Sequence, residues 1–484
     1  MRIAGVAAVC WAVLASAGPA AGAAARGSDW TRFGVDPARS NVYRAPTGIR
    51  ARDLAHLVRQ DLTVPGTVDS SPLYLHDALI AGQTRDAFLA STTYGLAFAL
   101  DADTGEILWT YTPPAYPNLV GTYQFQSSSP VVDPRRGVMY ATSPDGLIHK
   151  LRVADGQEVL TGSWPRSITY DASHEKMSSS LNLFGRYVMA TTAGYGDHPP
   201  YVGHIALVDR RTGSLDHVFN TICPRSHRLI LASTCKQGQN GGIWGRSGAI
   251  VIPGSHRLVV TVGNSKWNGR TNYGDTVIEL SPDATRVLDT WTPRNQSAMN
   301  AFDLDLGATE PAIVRSPRGL FGVQGGKDGL LRLLDLNDLS GNGGHPCACL
   351  TDALRTYHPK AGGIFTTPAI WHHDGRIWVF LTTYGSTLAY TFTNAARPKL
   401  HHEWRYKVGG SSPVVAGGLL YVFDPLGGKG LSVYRPETGK LLARLPVAAG
   451  HWNSPIVAGG RIAVPTGSVN DKASSGNLTI FRKP

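Results

Sequence analysis

Apolar and polar residues alternate in short runs along this chain, and the runs end in turn-forming residues. One unit reads SSPLYL (70–75), a turn, and then FLASTTYGLAFALDADTGEILWTY (88–111). Such alternation is typical of half-buried β-strands, and the Gly, Asp and Thr residues between the runs are typical of tight turns. The unit therefore predicts about four antiparallel strands.

The same unit returns along the chain. Together with the first, eight segments begin alike at intervals of about 40 to 65 residues; the others are SSSPVV (127–132), SSLNLF (179–184), the segment from Gly242, GATEPAIV (307–314), TTPAIW (366–371), SSPVV (411–415) and NSPIV (453–457). Repeated four-stranded units that cannot bury their faces alone are typical of a β-propeller. We predict an all-β fold, an eight-bladed β-propeller of four-stranded antiparallel blades, forming one domain over residues 26–484. The alternative is two unrelated β-sandwiches.

The two ends of the predicted ring complement each other. The last unit has only three strand patterns, the third being NLTIF (477–481), whereas HLVRQDLTV (56–64) precedes the first unit. We expect this N-terminal strand to pair with the C-terminal strands and to close the ring, because closure removes open sheet edges.

The N-terminus has the pattern of an export signal. A basic residue is followed by an apolar stretch and then by small residues around Ala23 and Ala25, which predicts a signal peptide over residues 1–25. We expect the mature protein to be exported to the periplasm or the extracellular space. No later apolar stretch is long enough to span a membrane, so no transmembrane segment is predicted.

Cysteine content and charge narrow the classes of function. Four of the 5 cysteines follow the predicted signal, and an even number in an oxidising compartment favours disulfides. Cys223 with Cys235 is the preferred pair, while a Cys347–Cys349 bridge would close a very tight ring and is left open. No Cys-x-x-Cys-His sequence occurs, so covalent haem is not expected. The net charge of +11 has no Lys/Arg run behind it, so nucleic acid is not an expected partner.

Two neighbouring units carry polar residues at matching places. Trp244 precedes the first strand of one unit and Asn264 follows its second strand, while Asp303 and Lys327 hold the same places in the next unit. In an antiparallel pair, the start of the first strand and the end of the second lie at the same end. An indole, an amide, a carboxylate and an ammonium are therefore predicted to converge in a candidate cofactor site.

Each of these residues also has a structural interpretation. Trp244 would be a core aromatic between blades, Asn264 a turn amide that binds its own backbone, and Lys327 a solvated turn residue. Asp303 and Asp305 alternate with apolar residues, which predicts that both lie on one face of a strand. Two like charges side by side need a cation or a donor, so a metal ion or Lys327 is their expected partner.

Two stretches resemble the quinoprotein dehydrogenases, eight-bladed propellers that bind pyrroloquinoline quinone (PQQ). They are FALDADTGEILW (98–109) and DWTRFGVDPARSNVYRA (29–45), and the resemblance extends through the repeats over nearly all of the mature chain. Non-catalytic outer-membrane assembly propellers share the repeat. The fold that the resemblance implies is the one that the repeat predicts.

The middle of the chain carries the more specific part of this resemblance. Trp244 in GGIWG matches the tryptophan beneath the quinone, and Asn264 in VGNSKWNG matches a calcium ligand. In FDLD, Asp303 matches the catalytic base and metal ligand, and Asp305 matches a further ligand that some members use for a larger ion. Lys327 in GGKDG matches the basic residue that contacts the quinone oxygens.

The chain departs from the family pattern at two points. It lacks the adjacent Cys-Cys pair, and the stretch TTAGYGDHPPYVGHIALVD (191–209) offers Asp197 where the family supplies a glutamate ligand. Asp197 is shorter than glutamate, so it reaches the ion only if its loop lies closer. The predicted metal ligands are therefore Asn264, Asp303, Asp305 and Asp197.

The function implied by the resemblance is oxidation of an alcohol or a sugar. PQQ and Ca²⁺ or a similar hard cation are the expected cofactors, and electrons would pass to a separate acceptor such as a cytochrome or a quinone. The alternative is a non-catalytic propeller that serves as a protein-binding or envelope-binding scaffold. A third interpretation keeps the pocket but gives it another planar or anionic ligand.

Overall fold

The alternating segments form eight β-sheets in succession. The computed structural model describes residues 29–236 and 238–484, and the predicted signal peptide (1–25) lies outside the described residues. Each of the eight sheets contains four antiparallel strands, and we refer to them as blades 1 to 8 in chain order. The prediction of an all-β, eight-bladed propeller is confirmed.

The first four blades are formed by consecutive stretches of the chain. Their strands are, for blade 1, Leu73–Ile80, Gln83–Ser91, Ala97–Asp101 and Ile107–Tyr111; for blade 2, Val131–Asp133, Val138–Thr142, Leu147–Arg152 and Arg166–Ser167; for blade 3, Asn182–Phe184, Tyr187–Thr191, His204–Asp209 and Leu215–Asn220; for blade 4, Ile250–Val251, Leu258–Thr261, Val277–Leu280 and Val287–Trp291. A separate two-stranded sheet pairs Glu175–Lys176 with Ala193–Gly194. This small sheet brings the segment before blade 3 next to a loop within blade 3.

The last four blades combine consecutive strands with two strands from the N-terminal region. Their strands are, for blade 5, Ala312–Ser316, Gly319–Gln324, Leu331–Asp335 and Arg355–Tyr357; for blade 6, Ala369–His373, Arg376–Thr382, Thr387–Thr393 and Lys399–Tyr406; for blade 7, Val414–Ala416, Leu419–Asp424, Gly430–Tyr434 and Leu441–Leu445; for blade 8, Ile456–Ala458, Arg461–Thr466, Gly476–Arg482 and Val58–Val64. Val58–Val64 runs antiparallel to Gly476–Arg482, and a short strand, Val42–Tyr43, lies parallel to Val414–Ala416.

The described helices are short and lie in the connections. The α-helices are Tyr116–Leu119 and Gln296–Ala301, and the 3-10 helices are Ala51–His56, Ala232–Thr234, Leu306–Ala308 and Val469–Asp471. No helix within residues 29–236 and 238–484 is long and apolar enough to cross a membrane. Cys223 is bonded to Cys235, the preferred pair, and Cys347 is bonded to Cys349.

The Asp-x-x-Thr-Gly turns form through hydrogen bonds that the sequence itself provides. The carboxylate of Asp101 accepts the backbone N–H groups of Asp103 and Thr104, both at 2.9 Å, so a side chain satisfies the turn. Trp109 follows this turn and donates its indole N–H to the carbonyl oxygen of Val153 at 2.9 Å. Because Val153 belongs to blade 2, this hydrogen bond joins blade 1 to its neighbour.

The N-terminal segment 29–45 connects blades that are distant in the sequence. The buried guanidinium of Arg39 donates to the carbonyl oxygen of Ser247, before blade 4, at 3.0 Å. Asn41 donates its side-chain N–H to the carbonyl oxygen of Thr367, before blade 6, at 3.0 Å. The segment therefore crosses the ring and lies against the loop that carries Trp244.

Candidate functional site

Loops from several blades surround one cavity. Its volume is about 350 Å³, within the range of about 300–1,000 Å³ that is usual for small-molecule sites. It is lined by Ser127, Lys176, Ser178, Gly196, Asp197, Trp244, Arg246, Asp303, Asp305, Ala308, Lys327, Phe365, His451 and Trp452. Five of the six predicted site residues are among them, and the sixth, Asn264, contacts Asp303 through its side chain.

Trp244 forms part of the cavity wall because glycine backbones make room for its indole. A Cβ atom on Gly263 would lie 2.7 Å from the indole Cδ1 and 2.5 Å from a carboxylate oxygen of Asp305. The edge of Tyr201 packs against the indole with the ring centroids 6.1 Å apart. The indole N–H is buried against the backbone of Gly242 and Gly263 and has no hydrogen-bond partner among the described residues.

Asn264 connects the two units that were predicted to meet. Its side-chain N–H donates to Asp303 at 2.9 Å, and its backbone N–H donates to Asp305 at 2.7 Å. The side-chain oxygen of Asn264 is buried and accepts no hydrogen bond from any described residue. A buried acceptor without a donor is costly, and a cation bound to this oxygen would satisfy it.

Lys327 lies between two carboxylates. Its ammonium is 2.8 Å from Asp303 and 2.8 Å from Asp305. Burial acts to lower the pKa of Lys327, but the charges of Asp305 and Asp303 outweigh burial, so the pKa is raised. Burial raises the pKa of Asp305 in spite of the ammonium. The two acids share one positive charge.

Asp303 lies in a turn, not on a strand. The turn follows the helix Gln296–Ala301 and precedes the 3-10 helix Leu306–Ala308, and Asp303 itself has the left-handed φ of 54°. The prediction that Asp303 and Asp305 share one face of a strand is therefore wrong. The alternation of polar and apolar residues that suggested a strand belongs here to an irregular connection.

A buried acid that sequence reasoning missed holds this turn in place. Asp275 is fully buried and accepts the backbone N–H of Leu306 at 3.0 Å and the side-chain N–H of Gln296 at 3.4 Å. Burial raises the pKa of Asp275 to about 8. Its hydrogen bonds to Leu306 and Gln296 fix both ends of the turn that carries Asp303.

Asp197 reaches the same cavity from blade 3. It lies in a loop with a left-handed φ of 59°, and its carboxylate accepts the hydroxyl hydrogen of Tyr201. Burial raises the pKa of Asp197, and the hydrogen bond from Tyr201 opposes this only in part. The loop thus brings the shorter side chain to the cavity wall, but among the described residues the carboxylates of Asp197, Asp303 and Asp305 do not all lie within 4.8 Å of one another.

A second group of residues lines the cavity from other blades. Arg246, Lys176, His451 and Trp452 were not among the predicted site residues. Trp452 stacks on Phe365, with the centroids 5.4 Å apart and the planes inclined by 25°. The stretch GIWGR offered a signal for Arg246, since it follows Trp244 by two positions, whereas nothing in the sequence marked Lys176.

The donor atoms fit a hard cation. Such ions prefer carboxylate, amide and carbonyl oxygens, and the free oxygen of Asn264 lies in a residue bonded to both Asp303 and Asp305. The ammonium of Lys327 is the positive charge that these acids now share. The partly exposed indole, together with the Phe365–Trp452 pair, supplies aromatic walls for a flat guest.

Solved structures share this fold, although no protein-family model and no curated protein matches the chain. The chain is similar to the quinohemoprotein alcohol dehydrogenase ADHIIG from Pseudomonas putida HK5, with a TM-score of 0.69 and 13% identity over 94% of this chain and 80% of that chain. The quinohemoprotein alcohol dehydrogenase from Comamonas testosteroni matches with a TM-score of 0.64 and 15% identity, over 94% of this chain and 80% of that chain. A europium-containing methanol dehydrogenase matches with a TM-score of 0.68 and 14% identity, over 94% of this chain and 98% of that chain. At these identities the likeness shows the fold alone.

Proposed function

We propose that the protein is an exported quinoprotein-type oxidoreductase that binds PQQ with Ca²⁺ or a similar hard cation and oxidises an alcohol or a sugar. One observation carries this proposal. Residues named from two neighbouring repeats, Trp244, Asp303 and Lys327, line one cavity of about 350 Å³. The names of the similar structures support it, since they are alcohol and methanol dehydrogenases and one contains europium, also a hard cation.

The cofactor would supply the redox chemistry and the chain would supply binding and proton transfer. When bound, PQQ provides an electron-poor carbonyl that accepts a hydride, and the cation polarises that carbonyl. The indole face of Trp244 would hold the flat ring system. Asn264, Asp303 and Asp305 would hold the cation, with Asp197 as a further ligand.

Asp303 would act as the base. Its side chain is 64% exposed, so an alcohol that enters the cavity can reach the carboxylate. The carboxylate would take the hydroxyl proton as the hydride leaves the carbinol carbon. Lys327 and Asn264 hold Asp303 by ion pair and hydrogen bond, which fixes the direction of the base. Electrons would then leave to a separate acceptor, such as a cytochrome or a quinone.

The test is reconstitution of the purified protein with PQQ and CaCl₂. We expect the absorbance of bound quinone and the reduction of an electron-accepting dye that depends on added alcohol or sugar. Asp303→Asn is expected to keep the bound quinone and to lower the rate of dye reduction by roughly 10²–10⁴-fold, the usual contribution of a general base.

A matched control separates the base from the fold. Asp374 is also exposed and also has a left-handed φ, 48° against 54° for Asp303, so Asp374→Asn should retain full activity. The proposal is wrong if the wild type neither retains quinone nor reduces dye with a panel of primary alcohols, secondary alcohols and sugars. It is also wrong if Asp303→Asn is as active as the wild type.

A further inference from the structure

The cavity has a basic part as well as an acidic one. Lys176 and Arg246 line it together with His451, and we call these three residues with Asp69 the basic cluster. Arg246 reaches from the loop before blade 4 to Asp69, before blade 1, at 2.8 Å. The acidic part, with Asp303 and its neighbours, has no ion pair with this cluster in the described part of the chain.

The positive charge of Arg246 is already balanced by a carboxylate within the protein. Its guanidinium pairs with the Asp69 carboxylate and also donates to the backbone carbonyl oxygen of Asp69 at 2.7 Å. The other carboxylate oxygen of Asp69 lies 2.7 Å from His451 Nδ1 and accepts the backbone N–H of Val469 at 3.0 Å. Burial acts to raise the pKa of Asp69, but Arg246 and His451 hold it below its usual value. Both carboxylate oxygens of Asp69 therefore already have partners within the protein.

Lys176 has no such partner. Its ammonium lies 4.3 Å from the ring centroid of Phe125, and it makes no ion pair or hydrogen bond with any residue that the structure describes. Burial and the charge of Arg246 lower the pKa of Lys176 to about 7, with Asp69 opposing them. A partly buried ammonium beside a like charge is stabilised when an anion binds next to it.

A second polar group at the same wall also lacks a partner. The hydroxyl of Ser178 is buried, lines the cavity and makes no hydrogen bond within the described residues. Ser178 follows Lys176 by two positions, just beyond the strand Glu175–Lys176, and both residues line the same cavity. A lysine ammonium and a serine hydroxyl that both lack a hydrogen-bond partner can donate to the same oxyanion.

We propose that Lys176 and Ser178 bind a carboxylate group of the ligand that occupies the cavity. The inference rests on the proposed function and deepens it. The acidic part takes the cation and this wall takes an anionic group, so the cavity selects a flat polycarboxylate over an uncharged quinone. Neither residue is among those to which the resemblance to quinoprotein dehydrogenases gave a role.

The test compares PQQ with its trimethyl ester, which keeps the quinone but has no carboxylate charge. Dissociation constants are measured by equilibrium dialysis in the presence of CaCl₂ for the wild type, Lys176→Met, Lys176→Arg and Ser178→Ala. Lys440→Met is the control, because Lys440 is exposed and outside the cavity. Thermal unfolding establishes that each variant is folded.

We expect Lys176→Met to weaken the binding of PQQ by roughly tenfold or more and to leave the binding of the ester within about twofold, as the loss of a charged hydrogen bond requires. Ser178→Ala should show the same selectivity with a smaller change. Lys176→Arg and Lys440→Met should bind PQQ like the wild type. The proposal is overturned if Lys176→Met binds PQQ as tightly as the wild type, or if both ligands are weakened equally.

The outcomes also separate this inference from the proposed function. A wild type that binds PQQ through Lys176 but oxidises no alcohol overturns the proposed function and supports the carboxylate site. If the wild type oxidises alcohol but Lys176→Met binds PQQ as tightly as the wild type, the proposed function is supported and the carboxylate site is overturned. A wild type that binds neither PQQ nor its ester overturns both.

Discussion

The ammonium of Lys327 lies 2.8 Å from a carboxylate oxygen of Asp303, the proposed base. The same ammonium is 2.8 Å from Asp305, which is almost completely buried, whereas Asp303 is mostly exposed. One cation thus stabilises two acids whose charges would otherwise repel each other. Lys327 is therefore expected to stabilise the protein as well as to orient the base.

Removal of the ammonium should create a site that calcium can stabilise. Without metal, Lys327→Met is expected to lower the free energy of unfolding by about 1–3 kcal/mol, between the values for exposed and buried ion pairs. CaCl₂ should raise the melting temperature of Lys327→Met more than that of the wild type, because the ion replaces the lost charge. Thermal unfolding with and without CaCl₂ measures both effects. Equal shifts in the two proteins would contradict this role.

Gly263 is expected to be essential for the position of Trp244. A Cβ atom at residue 263 would lie 2.7 Å from the indole and 2.5 Å from a carboxylate oxygen of Asp305, so Gly263→Ala should displace both side chains and cost about 1–3 kcal/mol of stability. PQQ binding should be lost or greatly weakened, as measured by equilibrium dialysis. The control is Gly385→Ala, where the nearest atom would be 3.4 Å away. Retained binding in Gly263→Ala would show that the indole does not form the floor of the site.

Asp69 joins three distant parts of the ring. It pairs with Arg246 at 2.8 Å and with His451 at 2.7 Å, and its side chain is fully buried. Asp69→Asn is expected to lower the free energy of unfolding by about 3–5 kcal/mol, because the buried guanidinium of Arg246 loses its counter-charge. Asp352→Asn should change stability by less than about 1 kcal/mol, because both partners of its ion pair are exposed. Urea denaturation gives both values. Similar losses of stability in the two variants would show that Asp69 is not the counter-charge on which the buried Arg246 depends.

Asp275 gives the stability of the protein a defined pH dependence. Burial raises its pKa from 3.8 to about 8, so between these pH values the native state holds a proton that the unfolded state has released. The contribution of this group to stability is therefore complete below about pH 4 and is lost as the pH rises to about 8.

Asp275→Asn removes this contribution while keeping the shape of the neutral side chain. At about 1.4 kcal/mol per pKa unit, the wild type should lose a few kcal/mol between pH 4 and 8 that the variant does not lose. Urea denaturation at pH 5 and pH 8 measures the difference between the two proteins, with Asp374→Asn as the control. A variant that gains nothing relative to the wild type at pH 8 would mean that Asp275 is ionised in the native protein.

The propeller was predictable because each blade repeats a local pattern, with alternating apolar residues and a turn such as the one at Asp101. That Trp244 and Asp303 line one cavity was predictable too, since both occupy equivalent places in adjacent repeats. The turn around Asp303 was not, because the buried hydrogen bonds that Leu306 and Gln296 donate to the distant Asp275 decide its shape. Lys176 reaches the cavity from the segment before blade 3, where no local pattern marks it.

A crystal structure of the protein with PQQ and CaCl₂ tests the central claim most directly. We predict a flat ligand stacked on the indole of Trp244 and an ion about 2.3–2.6 Å from oxygen atoms of Asn264 and Asp303, the distances usual for calcium. Lys327 should then contact the ligand. The account is contradicted if the cavity stays free of ligand with Lys327 still between the two acids, or if PQQ binds elsewhere on the ring.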